Sequence, residues 1–155
     1  MRELKFRAWD KEDKKYLLPE NQEFVILPTK PSFGVTLPYE NCSNPGNIDE
    51  DCIDWADADL LMGRYELEQY TGLKDKNGKE IYEGDIVKVF STDEYVVRFE
   101  GVYRVYFDNN WLSYQMYKVQ SSYSSMAEPF EPEMSTNIEV IGNIHENPEL
   151  LEGEE

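Results

Sequence analysis

The apolar positions recur with period two over several short stretches, and these stretches predict strands. From Glu3 to Asp10, Leu4, Phe6 and Ala8 alternate with Lys5, Arg7 and Trp9, the pattern of a strand with one buried face. Asp10 to Lys14 reads as a charged turn, and Tyr16–Leu18 and Phe24–Leu27 as two further strands. Asn77-Gly78 predicts a hairpin with a type I′ turn, because both residues tolerate positive φ. Glu83-Gly84-Asp85 predicts a second hairpin leading into the strand Ile86–Phe90. Tyr95–Phe99, Val102–Phe107, Trp111–Val119 and Ile138–Ile144 follow as strands, with turns at Glu100-Gly101 and Asp108-Asn109-Asn110. Gln120 to Pro132 reads as loop, and Asn147-Pro148 as the cap and first residue of a single helical turn through Leu151.

The expected fold is therefore mainly β, an antiparallel meander or small SH3-like barrel with at most one or two short helices. At 155 residues the chain suits one β-rich domain over residues 1–151, with a frayed acidic tail at 152–155. Residues 28–63 read as a long irregular insertion. Pro28, Pro31, Pro38 and Pro45 fall here, and a helix near Asp49–Leu61, capped by Asn47, has poor apolar spacing.

Three blocks, MRELKFRAWDKEDKKY at the start, YTGLKDKNGKEIYEGDIV from Tyr70 and VIGNIHENPELL from Val140, resemble the YopX-like family of bacteriophage and prophage proteins. The resemblance implies a mainly β phage accessory protein without an assigned activity, and it transfers no catalytic residue. Each block also has a purely structural reading: Asn-Gly and Glu-Gly-Asp are turn chemistry, and Asn143, His145 and Asn147 suit a solvated strand edge.

Charge narrows the functional classes. The net charge is −17, with −7 in residues 31–63 and −9 in residues 119–155, and neither segment has a Lys or Arg. Direct nucleic-acid binding is disfavoured, because such binding draws its affinity from Lys and Arg that displace condensed counterions. No apolar run is long enough for a membrane span, and no secretory leader is evident, so a cytoplasmic location in a bacterial host cell is expected. Cys42 and Cys52 are then reduced thiols, although spacing alone leaves a disulfide open.

No residue set meets the requirements of an active site. With His145 as the single histidine, two-histidine metal sites have no support, and the cysteine spacing fits neither a zinc ribbon nor a redox pair. The run Asp49, Glu50, Asp51, Asp54, Asp57, Asp59 is not a calcium loop, since Ile53 falls at a ligand position and Asp54 where glycine belongs. It is a candidate acidic interaction surface. No phosphate-cradling motif occurs. The expectation is a non-enzymatic protein-interaction module, without catalytic, cofactor or metal residues, that meets a host or phage protein and can form a homo-oligomer. The alternative is an acidic DNA mimic that inhibits a host nucleic-acid-binding enzyme.

Overall fold

A computed structural model describes residues 4–18, 25–28, 33–36, 63–90, 100–119, 127–129 and 136–152. The acidic run Asp49–Asp59, the helix expected near it, both cysteines and the strand expected at Tyr95–Phe99 lie outside the described residues. The strands are β1 (Phe6–Asp10), β2 (Lys15–Leu17), β3 (Val25–Pro28), β4 (Phe33–Thr36), β5 (Tyr65–Lys74), β6 (Glu80–Tyr82), β7 (Asp85–Val89), β8 (Gly101–Asp108), β9 (Ser113–Lys118), β10 (Ala127–Pro129) and β11 (Ile138–Asn143), followed by a single helical turn, α1 (Glu149–Glu152). The mainly β expectation is met. All the registered strand pairs are antiparallel.

The chain divides into two units, one of Phe6–Glu68 and one of Met1–Lys5 with Gln69–Glu155, and β5 runs from the first into the second. In the smaller unit β1 pairs with β2 and lies next to β5, while β3 and β4 form a separate hairpin. Thus β4 corrects the irregular reading of residues 28–63 over Phe33–Thr36. Ala8, Leu17 and Tyr65 form the core, with Phe6 and Leu67 packed on it, and Trp9 meets Tyr16 edge-on at 5.0 Å. The one-faced reading of the first strand fails: Arg7, Ala8, Trp9 and Asp10 are all buried, whereas Leu4 is 70% exposed. Buried ion pairs, described below, allow polar side chains on the second face.

In the larger unit β7, β8, β9 and β10 form a meander, and β11 returns to the free edge of β7, giving the order β10-β9-β8-β7-β11. Ile81, Val87, Val89, Tyr103, Val105, Met116 and Ile138 fill its core. Tyr103 and Val105 of β8 are therefore inward-facing. Within Gln120–Pro132, β10 replaces loop at Ala127–Pro129 and pairs with β9.

Two turns differ from their expected geometry. Gly78 has φ +82°, but Asn77 is not among the described residues with positive φ, so the turn is not type I′. It is a three-residue loop: Gly78 N–H donates to Asp75 O at 2.9 Å and Asp75 N–H to Lys79 O at 2.8 Å. Glu83-Gly84 does not close a second hairpin; the chain leaves β6 there and enters the other sheet at β7. The buried Asp85 enforces this exit by accepting Tyr82 N–H at 2.8 Å, while Gly84 N–H reaches Val105 O at 3.0 Å.

At the end of β11, a Cβ on Gly142 would stand 2.5 Å from Asn147 Oδ1 and 2.8 Å from its Cγ. Gly142→Ala should destabilise the protein by about 1–3 kcal/mol through overpacking, and Asn147→Ala in the same chain should recover part of that loss. Urea unfolding of the two variants measures both effects.

Candidate functional site

Several polar residues of the three blocks are engaged in structure, Asp75 above all. Asp75 is buried: its Oδ1 accepts Asn77 N–H at 2.8 Å and Lys79 N–H at 2.9 Å, and its Oδ2 accepts Val140 N–H at 3.1 Å. Burial opposes its ionisation, but these three backbone donors outweigh that and hold its carboxyl below the ordinary range. The same side chain thus closes the β5–β6 turn and fastens it to β11. Lys76 adds a backbone bond to Ile138 O at 2.9 Å and an ion pair with Glu139 at 2.8 Å. Lys5, from the opening block, pairs with Glu80 at 2.7 Å.

The closing block is organised around Asn143, whose Oδ1 accepts His145 N–H at 3.0 Å and Glu146 N–H at 2.8 Å, while its Nδ2 donates to Glu146 at 2.6 Å. Asn143 is buried, which corrects its reading as a solvated edge. His145 is half-buried beside it and Asn147 caps α1, with Leu150 N–H donating to its carbonyl at 3.1 Å.

In the smaller unit Arg7 Nε donates to Glu68 Oε2 at 2.7 Å, and both side chains are buried. Tyr16 donates its hydroxyl to the same oxygen at 3.1 Å and lays its ring 4.3 Å from the Arg7 guanidinium carbon. Arg64 grips Asp10 through two bonds, 2.9 Å to Oδ1 and 2.6 Å to Oδ2, and also reaches Glu12 at 2.9 Å and Asp13 at 3.2 Å. Asp10 Oδ1 accepts Glu12 N–H and Asp13 N–H as well, so one carboxylate shapes the β1–β2 turn and anchors the segment that leads into β5.

The Arg64 bonds, helped by the turn N–H groups, lower the Asp10 pKa from 3.8 to about 2 against the opposing effect of burial. A carboxyl more acidic in the folded state stabilises the fold above its unfolded pKa, and that stability is lost as pH falls through the folded value. Wild type should therefore lose about 2 kcal/mol from this group between pH 4 and pH 2. Asp10→Asn should be less stable at neutral pH and show a smaller acid-dependent loss, as read by urea unfolding across that range.

The sheet of the larger unit has a second face with a different character. The register sets Arg104 opposite Tyr117, and Tyr106 follows two residues along β8 on the same side. These three line an open cavity of about 400 Å³. Burial and the hydrogen bond with Asp108 raise the Tyr106 pKa. At the β8–β9 tip Asp108 Oδ1 accepts Asn110 N–H at 2.7 Å and Trp111 N–H at 3.3 Å, leaving Trp111 and Leu112 each 76% exposed, with Leu112 at φ +50°.

Sequence reasoning missed the Arg7–Glu68 and Asp10–Arg64 pairs and the Arg104 face. The alternation along β8 held a signal for the last, because period two places Arg104 and Tyr106 together. Among the described residues no group of three or more His, Cys, Asp or Glu side chains assembles as a metal site. No helix among them is long and apolar enough to cross a membrane.

The family model described as YopX protein matches residues 5–152, nearly the whole of this antiparallel β chain. The chain belongs to that family. It is similar in structure to protein EF1440 from Enterococcus faecalis, a crystal structure with 27% sequence identity, over 97% of this chain and 99% of that one, with a TM-score of 0.54. No curated protein matches it.

Proposed function

We propose that this YopX-family protein is a phage or prophage accessory protein that acts in the host cytoplasm as a non-enzymatic protein-interaction module. The exposed Trp111-Leu112 tip carries this reading. Two large apolar side chains in solvent, one of them at a positive φ that costs a leucine conformational energy, add nothing to folding. Tryptophan is also among the residue types that dominate binding interfaces. The engagement of Asp10, Asp75, Glu80 and Asp85 in turns and ion pairs supports a non-enzymatic role, since groups so engaged are poorly placed to act on a substrate.

The charge in residues 31–63 and 119–155 favours a second reading, an acidic mimic of DNA. The two readings separate in affinity purification from lysogenic host lysate at low and high salt. A partner bound through the tip should survive high salt and be lost with Trp111→Ala/Leu112→Ala, a double change at exposed positions that should leave stability within about 0.5 kcal/mol of wild type. A basic nucleic-acid-binding protein that is released by salt and indifferent to the double change would favour mimicry. If wild type captures nothing at either salt, the module reading falls.

A further inference from the structure

We propose that the cavity between Arg104, Tyr106 and Tyr117 binds an acidic side chain of a partner protein, one that stands beside an apolar residue. This rests on the reading of the protein as an interaction module and specifies the chemistry of its contact. Of the three described arginines, Arg7 and Arg64 are each locked to a buried carboxylate, and Arg104 forms no ion pair with a described residue. It is exposed on β8. The strand register places the Tyr117 side chain across from it, 43% exposed. Among the described residues the cavity is thus walled by two tyrosine rings and carries one cation without an ion pair.

That combination selects its occupant. A guanidinium binds a carboxylate through two parallel hydrogen bonds, and tyrosine rings give a rigid surface for an apolar neighbour at small entropic cost. Arginine and tyrosine are also the residue types enriched at the energetic centres of interfaces. A polyanion is a poor occupant: a chain of net charge −17 repels successive phosphates, whereas a single carboxylate on a partner can pair with Arg104 at the end of the cavity away from Asp108, which is hydrogen-bonded to Tyr106. A second copy is opposed in the same way, since each copy brings the same −17.

The test is a titration of the ¹⁵N-labelled full-length protein with the blocked peptide acetyl-Ser-Leu-Glu-Phe-amide, with the Gln version as control and hexathymidylate as the polyanion. The Glu peptide should shift the Arg104 side-chain Nε–H resonance and the backbone amides of Tyr106 and Tyr117. The Gln peptide should bind at least about tenfold more weakly, the difference expected for loss of a charge-assisted pair. Arg104→Ala should abolish the response without changing the melting temperature, and Arg104→Lys should retain a weaker one, because it keeps the charge and loses the planar fork. No shift, equal shifts with the Glu and Gln peptides, or a stronger response to hexathymidylate would overturn the proposal. Failure here is distinguishable from failure of the module reading: a partner captured equally by wild type and Arg104→Ala would refute the cavity and leave the module standing.

Discussion

Glu68→Ala should lower stability by about 3–5 kcal/mol, because it takes from the buried Arg7 guanidinium a buried carboxylate held at 2.7 Å. The side chains of Arg7 and Glu68 are 11% and 4% exposed, so water cannot replace the missing carboxylate without opening the β1–β5 packing. The variant also removes an acceptor of the Tyr16 hydroxyl, whose ring lies on the Arg7 guanidinium and meets Trp9 edge-on. A fall of about 10 °C in melting temperature is expected for a chain of this length. The buried Trp9 makes its fluorescence a local reporter. Arg7→Met/Glu68→Leu should restore most of the loss, because two apolar side chains of comparable volume need no ion pairing. If the double variant is as unstable as Glu68→Ala, the pair contributes more than mutual neutralisation.

Asp75→Ala should cost about 3 kcal/mol, since it strips the acceptor from three backbone N–H groups at once and a buried donor left unpaired costs about 1–3 kcal/mol. The turn donors of Asn77 and Lys79 can regain water, but Val140 lies in the β11–β7 ladder and cannot do so without local opening. The expected signature is faster amide hydrogen exchange at Val140 together with a lower urea midpoint. Asp75→Asn should fall between, because one amide oxygen can still serve the turn while the amide nitrogen cannot accept. The folded carboxyl is more acidic than its unfolded counterpart, so the gap between wild type and Asp75→Ala should narrow as pH falls below the ordinary carboxylate range. A gap unchanged down to that range would show that the neutral acid serves the three donors equally well.

These two sites mark where local pattern stops being informative. Asp75 follows a β strand and precedes Asn-Gly, and its role toward Lys79 is local turn chemistry legible in DKNGK. Its bond to Val140, 65 residues away, is not. Arg7 and Glu68 are 61 residues apart, and charged residues in a period-two strand are read as solvent-facing unless a partner is known. That is why the first strand was expected to have one wet face and proved to have none. The type I′ expectation at Asn77-Gly78 failed for a related reason: the dipeptide names a positive-φ position, but the Asp75 carboxylate lengthens the loop by a residue and leaves only Gly78 with positive φ.

By itself the sequence determined the β class, nearly every described strand, the terminal helical turn, the family and the uneven charge, because alternation, turn residues and net charge are properties of neighbours along the chain. The tertiary structure decided that β11 returns to the edge of β7, that Glu83-Gly84 passes the chain between sheets, that Asp10 and Asp75 are absorbed in buried bonds to distant partners, and that Arg104 stands across from Tyr117. Each of these depends on which distant strands lie side by side. Pairing across long loops is chosen by burial of the whole core and by satisfaction of buried polar groups, and neither is a local quantity.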